Sequence, residues 1–331
     1  MRRLALLAAV VVAGAVVGDA AAAFPGQNGV IVFAREADQN PGIYVVNPDG
    51  TGLKRIVATA NPNVFAPQWS PDGTSIVYGD NTDFPSSTAV RVVDAAGTLL
   101  RTVVGATYPS WSPDGRVWFM LHDTGSCAYV EGSAQPQFCV VAPPGQVFGG
   151  LREFGKWSST GRYAWVGSRL PISGAELGDQ IDIVQPGVTQ IVAGAGGEFA
   201  VSATRVGPTF DWSPDGTKLA FWTRSGGLGI VGADGTGEHL LGVKGSEPAW
   251  SPDGTKLVFK NGEGLAIVRT DGSQLVQLTH DSGDDFPDWQ ASTTAYQPPA
   301  AVAKPPTAKP PVVKPASKKK PKLPAKKKKQ K

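Results

Sequence analysis

The stretch FDWSPDGTKLAFW (residues 210–222) has three close relatives in the chain. They read PQWSPDGTSIVY from Pro67, PSWSPDGRVWFM from Pro109 and PAWSPDGTKLVF from Pro248. After each Trp-Ser-Pro-Asp-Gly, apolar residues alternate with other residues, which predicts a strand with one buried face. Proline suits the second position of a type I turn, aspartate can hydrogen-bond nearby backbone, and glycine accepts positive φ. The recurrence therefore indicates a structural turn and not a catalytic motif.

Six tryptophans mark equivalent positions of the repeat: Trp69, Trp111, Trp157, Trp212, Trp250 and Trp289. The intervals between them are 42, 46, 55, 38 and 39 residues, which is about the length of a four-stranded propeller blade. The turn aspartates are interpreted as structural because their context is identical; they are Asp72, Asp114, Asp215 and Asp253. The third unit has Ser159 and Thr160 in place of Pro and Asp but keeps Gly161.

The first and last units of the repeat are incomplete. Residues 28–60 read as a second, third and fourth strand, whereas DSGDDFPDWQAS (residues 281–292) reads as a tryptophan strand alone. We predict that these two ends pair and close the ring, which removes exposed sheet edges. The predicted fold is all-β: a six-bladed β-propeller of four-stranded antiparallel blades.

The unit P-x-W-S-P-D-G-x-x-[IL]-x-[FY], together with IYVVNPDGTGLKRI (residues 43–56), resembles the WD40-like repeat of TolB-type six-bladed propellers. The resemblance covers roughly residues 28–292 and implies the propeller fold. It does not imply a function, because such repeats build blades in proteins with many roles. TolB-type proteins have an α/β domain before the propeller that finds no counterpart here, so no partner-binding residues are carried over.

The two ends of the chain differ in composition from the repeats. Residues 1–23 have two arginines, an apolar run and small residues, which is typical of a cleaved signal peptide. A retained membrane anchor is the alternative, although the apolar run is short for a membrane span. We predict a signal peptide over residues 1–23, a propeller over 24–296, a disordered Pro/Ala/Lys-rich tail over 297–331, and a periplasmic or secreted location.

The tail is strongly basic. It holds twelve lysines and no acidic residue, whereas the body between signal and tail holds 17 basic and 27 acidic residues. Such a segment cannot bury a core, and it would bind an anionic envelope surface such as lipid headgroups or wall polymers. A solvated spacer is the alternative. No aromatic residues are interleaved with the lysines, so no specific nucleic acid is expected as a partner.

The only two cysteines, Cys127 and Cys139, are candidates for a disulfide, because an exported chain meets an oxidising compartment. Two free thiols are the alternative. The three histidines show no ligand spacing, and we expect no cofactor. Asp281, Asp284 and Asp285 could offer oxygen ligands to Ca²⁺, although their spacing is not that of an EF-hand loop.

Two functional hypotheses follow. The first is a monomeric, non-catalytic binding scaffold of the cell envelope, with a protein or saccharide partner on a loop face and the tail as an electrostatic tether. Insertions into a propeller repeat lie in loops at the edge of the propeller. The candidate binding segments are therefore the loop-like residues 168–180 and 193–209 and the irregular loop 121–138. The alternative is a propeller enzyme, a lyase or hydrolase, with its site at the central channel. A nucleophile elbow of the Gly-x-Ser-x-Gly type is absent from the sequence.

Overall fold

The computed structural model describes residues 24–36, 40–59, 63–83, 87–121, 127–132, 138–141, 146–171, 178–184, 190–192, 199–201, 206–223 and 225–293. The predicted signal peptide and tail lie outside these residues. The chain divides into two units, Met1–Tyr296 and Gln297–Lys331, and all the described residues belong to the first. Among the described residues, no helix is long and apolar enough to cross a lipid bilayer.

The first twelve strands are β1 (Gln27–Arg35), β2 (Gly42–Val46), β3 (Lys54–Ala58), β4 (Val64–Trp69), β5 (Ser75–Asp83), β6 (Ser87–Asp94), β7 (Leu99–Val104), β8 (Ala106–Trp111), β9 (Val117–Leu121), β10 (Cys127–Val130), β11 (Phe138–Val141) and β12 (Gln146–Trp157). The remaining strands are β13 (Tyr163–Pro171), β14 (Gly178–Val184), β15 (Gln190–Val192), β16 (Phe199–Val201), β17 (Val206–Trp212), β18 (Lys218–Thr223), β19 (Gly227–Gly232), β20 (His239–Lys244), β21 (Ser246–Trp250), β22 (Lys256–Lys260), β23 (Leu265–Arg269), β24 (Val276–Gln277) and β25 (Asp284–Ser292).

Within the described part of the chain these strands form six sheets. In hydrogen-bonding order they are sheet I (β25-β1-β2-β3), sheet II (β4-β5-β6-β7), sheet III (β8-β9-β10-β11-β15), sheet IV (β12-β13-β14-β16), sheet V (β17-β18-β19-β20) and sheet VI (β21-β22-β23-β24). The prediction of an all-β chain with antiparallel four-stranded sheets is therefore confirmed, with one departure. Sheet III gains a fifth strand because β15 pairs with β11 in parallel.

Each sheet contains one strand that carries a repeat tryptophan: β4, β8, β12, β17, β21 or β25. In sheet I this strand is the last of the chain, and it pairs antiparallel with β1, with Gln27 opposite Ser292 and Ile31 opposite Trp289. These tryptophan strands touch one another in succession, β4 with β8, β8 with β12, β12 with β17, β17 with β21, β21 with β25, and β25 with β4. They line one central space.

The Ser-Pro-Asp-Gly turns fold as their residue types predict. In the turn after Trp69, Asp72 Oδ1 accepts hydrogen bonds from the Ser70 hydroxyl (2.6 Å), the Thr74 amide (3.0 Å) and the Thr74 hydroxyl (2.8 Å). Gly73 has φ of +67°, and a Cβ there would meet the carbonyl oxygen of Ala291 at 2.5 Å. Glycine is thus required both by the backbone conformation and by the close approach of sheet I.

Three segments that the sequence indicated as loops are partly strands, so those predictions are wrong in part. Residues 168–180 include the end of β13 and the start of β14, residues 193–209 include β16 and part of β17, and residues 121–138 include β10. The sequence signal failed because Gly, Pro and Ser interrupt the alternation of these strands, while backbone pairing tolerates them near strand ends.

The hydrophobic core lies between neighbouring sheets. One cluster joins sheets IV and V through residues such as Ile181, Trp212 and Phe221, each of which is 1% exposed or less. Other clusters join sheets V and VI, VI and I, I and II, and II and III. Packing between these neighbouring sheets therefore sets the orientation of the tryptophan strands toward the central space.

Candidate functional site

The tryptophan strands share a bulge that shapes the entrance to the central space. The residue three positions before the tryptophan has positive φ in four of them: Ala66 (+48°), Tyr108 (+51°), Glu247 (+56°) and Phe286 (+51°). A proline follows each of these residues, and the pairing register shifts there. Bulges re-aim side chains and are common next to functional sites. We call this level the rim, defined by Ala66, Tyr108, Thr209, Glu247 and Phe286.

The residue directly before each tryptophan differs in chemistry from repeat to repeat. This position is occupied in turn by Gln68, Ser110, Lys156, Asp211, Ala249 and Asp288. All of these except Ala249 line a cavity in the central space. The repeat thus delivers a variable set of polar side chains to the centre of the molecule.

Two small cavities lie in the central space, each of about 30 Å³. The rim cavity is lined by Ala66, Pro67, Gln68, Lys156, Thr209, Phe210, Glu247, Pro248, Phe286 and Pro287. The tryptophan cavity is lined by Phe24, Gln68, Trp69, Ser110, Trp111, Lys156, Trp157, Asp211, Asp288 and Trp289. Gln68 and Lys156 border both cavities, and either cavity has room for about one water molecule.

Lys156 is the cation at the centre. Its Nζ lies 2.9 Å from Asp211 Oδ1, and its side chain is 17% exposed; it borders both cavities. Burial lowers the pKa of Lys156, but the charges of Asp211 and Asp288 outweigh burial and raise the pKa above its ordinary value. Lys156 therefore stays charged, as a buried lysine does only beside carboxylates.

The two aspartates of this group also join neighbouring sheets. Asp211 Oδ2 accepts a hydrogen bond of 2.8 Å from the Trp250 amide, and Asp288 Oδ2 accepts one of 2.8 Å from the Trp69 amide. Burial raises the pKa of Asp288 to about 7, against the lowering effect of Lys156. Within the described residues no cation lies within 4 Å of Asp288, so the centre holds two carboxyl groups and one ammonium group.

A second group of carboxyls lies at the rim. Glu247 accepts a hydrogen bond of 2.8 Å from the Phe286 amide. Burial, followed by the charge of Asp285, raises the pKa of Glu247 well above its ordinary value. The same two causes raise the pKa of Glu36. Asp285 forms an ion pair with Lys260, so this side of the rim carries three carboxyl groups around one lysine.

Two of the three aspartates considered for Ca²⁺, Asp281 and Asp284, are engaged with arginine, and the third, Asp285, pairs with Lys260. Arg35 forms a forked pair with Asp284, with Nε–Oδ1 of 2.5 Å and Nη2–Oδ2 of 3.0 Å, and its Nε lies 3.3 Å from Asp281. Arg35 also stacks over the Tyr44 ring at 4.5 Å. In the parts of the chain that the structure describes, no group of three or more His, Cys, Asp or Glu residues could hold a metal ion. The expectation of no cofactor remains a prediction.

The residues selected from the sequence lie in two separate places. The six repeat tryptophans lie at the ends of the tryptophan strands or, for Trp289, within β25. Asp72, Asp114, Asp215 and Asp253 lie in the turns that follow. Burial raises the pKa of these four carboxyls, but hydrogen bonds from neighbouring groups outweigh it, so each pKa lies below its ordinary value. They remain ionised and serve their own turns.

Cys127 and Cys139 are brought together by the backbone. They are directly opposite each other in the antiparallel pair β10–β11, a register that brings Cα atoms within the range that a disulfide spans. Their side chains lie outside the described part of the chain, so the disulfide stays a prediction.

The sequence reasoning missed the central group of Lys156, Asp211 and Asp288. A signal for it existed: the residue before each tryptophan varies, whereas the Trp-Ser-Pro-Asp-Gly residues that follow are nearly constant. Alternation in the tryptophan strand places this residue on the face opposite the tryptophan ring. Reading that one position across the repeats would have gathered the central polar residues.

Comparison with solved structures identifies the type of fold. No protein-family model matches the chain, and no curated protein matches its sequence. Among solved structures, the nidogen/laminin complex is 9% identical, with a TM-score of 0.54 over 80% of this chain and 99% of that chain. TolB from Acinetobacter baumannii is 19% identical, with a TM-score of 0.58 over 81% of this chain and 68% of that chain. The chain therefore has a TolB-like β-propeller fold.

Proposed function

We propose that the chain is an exported, non-catalytic binding scaffold: a six-bladed β-propeller whose rim holds a protein or saccharide partner and whose basic tail tethers it to an anionic envelope surface. The six sheets, the succession of contacts between their tryptophan strands, and the pairing of β25 with β1 support six blades in a closed ring. A closed ring presents its loops at two ends, and loops on a rigid support are where binding residues concentrate.

The observation that carries the proposal is the contrast between the closed centre and the chemically rich rim. The central cavities, at about 30 Å³ each, are far smaller than the several hundred Å³ typical of a small-molecule site. The rim, in contrast, has half-buried Tyr108 and Phe286 next to prolines. Aromatic side chains with a stable backbone are the usual anchors of a macromolecular interface.

Charge favours a partner with basic groups, because the body between the predicted signal and tail holds 27 acidic and 17 basic residues. Complementary charge guides encounter and orients the partner more than it adds affinity. A partner with lysine or arginine side chains, or a saccharide with amino groups, fits this surface.

The rim is tested by capture from envelope extract with matched variants. Tyr108→Asp and Phe286→Asp each place a carboxylate in the rim, whereas Leu240→Asp makes the same kind of change on the outer strand β20, where Leu240 is 58% exposed. We expect the wild type and L240D to retain the partner, and Y108D and F286D to lose it while remaining folded by circular dichroism at the temperature of the capture. Equal capture by all four proteins would refute the rim as the binding surface.

The tail is tested with vesicles. A chain that ends at Tyr296 is compared with the full chain on anionic and on neutral phospholipid vesicles. We expect only the full chain to bind, and only to anionic vesicles. Binding should be far weaker at about 1 M salt than at about 0.05 M, because the distance over which charges interact falls to about 3 Å at about 1 M salt. Equal binding of the two chains at low salt would leave the tail as a spacer.

One observation favours the alternative of an enzyme. Glu247 and Asp285 form a neighbouring carboxyl pair at the rim, and such pairs serve as general acid and base in hydrolases and lyases. A screen of glycosidic, ester and lactone substrates with the wild type and Glu247→Gln decides the matter. Turnover by the wild type that E247Q lacks would replace the scaffold by an enzyme; no turnover by either supports the scaffold.

A further inference from the structure

The first described residue, Phe24, lies against the central space. Phe24 is 8% exposed and packs with Ala291 and Trp157. It also lines the tryptophan cavity together with Lys156 and Asp288. The segment after it is held by a hydrogen bond of 3.4 Å from the Gly26 amide to the Pro252 carbonyl. Phe24 thus lies at the tryptophan cavity and is not among the residues that line the rim cavity.

The charges around this cavity are not balanced by side chains alone. Lys156 lies within ion-pair distance of Asp211, while among the described residues Asp288 has only the Trp69 amide as a donor within hydrogen-bond distance. A buried carboxylate without a paired cation is costly. A second positive charge in the same enclosed space would balance Asp288.

The sequence supplies a cation of this kind. The predicted signal peptide ends at residue 23, so its removal converts the nitrogen of Phe24 into a free α-amino group. An α-amino group has a pKa of about 7.7–8.0 in water, so it is largely protonated at neutral pH. Because Phe24 and Asp288 line the same cavity, the new ammonium group forms on a residue that borders the cavity of Asp288.

We propose that the tryptophan cavity is a binding site for the chain's own mature amino terminus, in which the α-ammonium group of Phe24 pairs with the Asp288 carboxylate. The cavity has room for about one water molecule, so the pair forms where water is nearly excluded and an ion pair is worth more than at the surface. Removal of the signal peptide then completes the centre with two cations and two carboxylates.

This arrangement makes the fold depend on maturation. While residues 1–23 are attached, the nitrogen of Phe24 is an uncharged amide and Asp288 stays unbalanced. After cleavage, the ammonium group links sheet I to the amino-terminal segment. The precursor is thus less stable than the mature chain, which suits a protein that crosses a membrane before it folds.

The test uses chains with defined amino termini and so does not depend on cleavage in the cell. One chain begins at Phe24 with a free amine, a second is the same chain with that amine acetylated, and a third begins at Ala23, which moves the amine by one residue. Each is made with the native sequence and with Asp288→Asn, and thermal unfolding is followed from pH 4 to pH 10. N-terminal sequencing of the exported protein separately establishes whether Phe24 is the natural first residue.

At pH 7 we expect the free-amine chain to melt roughly 3–6 °C above the acetylated chain, and D288N to abolish this difference. The pair raises the pKa of the amine in the folded chain and lowers that of Asp288. Its stabilisation is therefore present near neutral pH, is lost as the pH rises through the folded value of the amine, and is also lost at low pH as Asp288 takes up a proton. We also expect the Phe24 amine to react with formaldehyde at least tenfold more slowly than that of the Ala23 chain.

Two results would overturn the proposal. Equal melting temperatures of the free-amine and acetylated chains at pH 7 would show that the ammonium group is not bound. A difference that persists in D288N, or that does not change between pH 7 and pH 10, would assign the effect to packing of Phe24 alone. If D288N does not fold, the pH profile and the amine reactivity of the native-sequence chains decide.

Discussion

The Ser-Pro-Asp-Gly turns and the residues before the tryptophans are neighbours in the same repeat, yet they follow opposite rules. The turns are nearly identical, and each carboxylate hydrogen-bonds to residues of its own turn, as Asp215 does with Ser213 and Thr217. The residues before the tryptophans differ in nearly every repeat, and they bond to other sheets, as Asp211 does with Lys156 and Trp250. Constancy thus marks local structure, and variation marks the centre where sheets meet.

The largest effect is expected when the central cation is removed. Lys156→Met leaves Asp211 without its paired cation and removes a positive charge that acts on Asp288, and we expect a loss of about 3–5 kcal/mol in the free energy of unfolding at pH 7.5. Lys218→Met removes an exposed lysine at the start of β18 and should change stability by less than about 0.5 kcal/mol. Urea unfolding measures both.

A double variant sharpens this result. Lys156→Met combined with Asp211→Asn removes one cation and one carboxylate together, so part of the lost stability should return. If K156M and K218M proved equally mild, the central group would be no more important than surface charge.

Sheet III allows a comparison with a covalent link inside one sheet. If Cys127 and Cys139 are joined, the double substitution Cys127→Ser and Cys139→Ser should lower the free energy of unfolding by about 3 kcal/mol. This is the stabilisation expected from a disulfide that closes a loop of about 15 residues. Peptide mapping without reductant should recover one linked peptide pair. Recovery of both thiols in free form would contradict the disulfide.

Glu247 tests whether rim carboxyls behave differently from turn carboxyls. Burial and Asp285 raise its pKa in the folded chain, so the folded chain holds a proton that the unfolded chain releases. Its contribution to stability is therefore full below about pH 4.5 and declines as the pH rises toward the folded value. We expect Glu247→Gln to gain about 2 kcal/mol relative to the wild type between pH 4 and pH 8.

The matched control for this prediction is Glu263→Gln, because Glu263 is exposed in the turn between β22 and β23. Its stability should follow that of the wild type across the same pH range. A parallel pH profile for wild type and E247Q would mean that Glu247 titrates normally.

The smallest effects are expected in the turns. Asp215→Ala removes an acceptor of three hydrogen bonds, whereas Thr160→Ala, at the equivalent position of the divergent turn, removes one contact of 3.0 Å to the Ser158 hydroxyl. We expect a loss of about 1 kcal/mol for D215A and about half of that for T160A. Thermal unfolding resolves this order; a larger loss for T160A would mean that the turns are not equivalent.

The sequence predicted features that lie within each repeat, such as the turns, better than contacts that form between sheets. The Trp-Ser-Pro-Asp-Gly repeat predicted the tryptophan strands and the turns, because these depend on local chemistry that each repeat contains. It also predicted the pairing of the two chain ends, because the first and last units are each incomplete. The parallel pairing of β15 with β11 was not predicted. It joins residues about fifty positions apart, and no local pattern in Gln190–Val192 distinguishes a strand of one sheet from that of the next.

The central group was missed for a related reason. Lys156, Asp211 and Asp288 are distant in sequence and meet only when the sheets assemble. Each one, read alone, is an ordinary charged residue beside a tryptophan. Only the comparison of one position across repeats, combined with the arrangement of strands around a common space, brings them together.

The pairing of β1 with β25 also determines how the protein responds to force. Gln27 and Ser292 are opposite each other, so the chain enters and leaves sheet I at the same end of one antiparallel ladder. A pull applied between the two ends therefore opens this ladder one hydrogen bond at a time, as a zipper opens, and does not load all the bonds together. A molecule held by its tail and pulled by its amino-terminal end would begin to unravel at this seam, before the other five sheets bear any load.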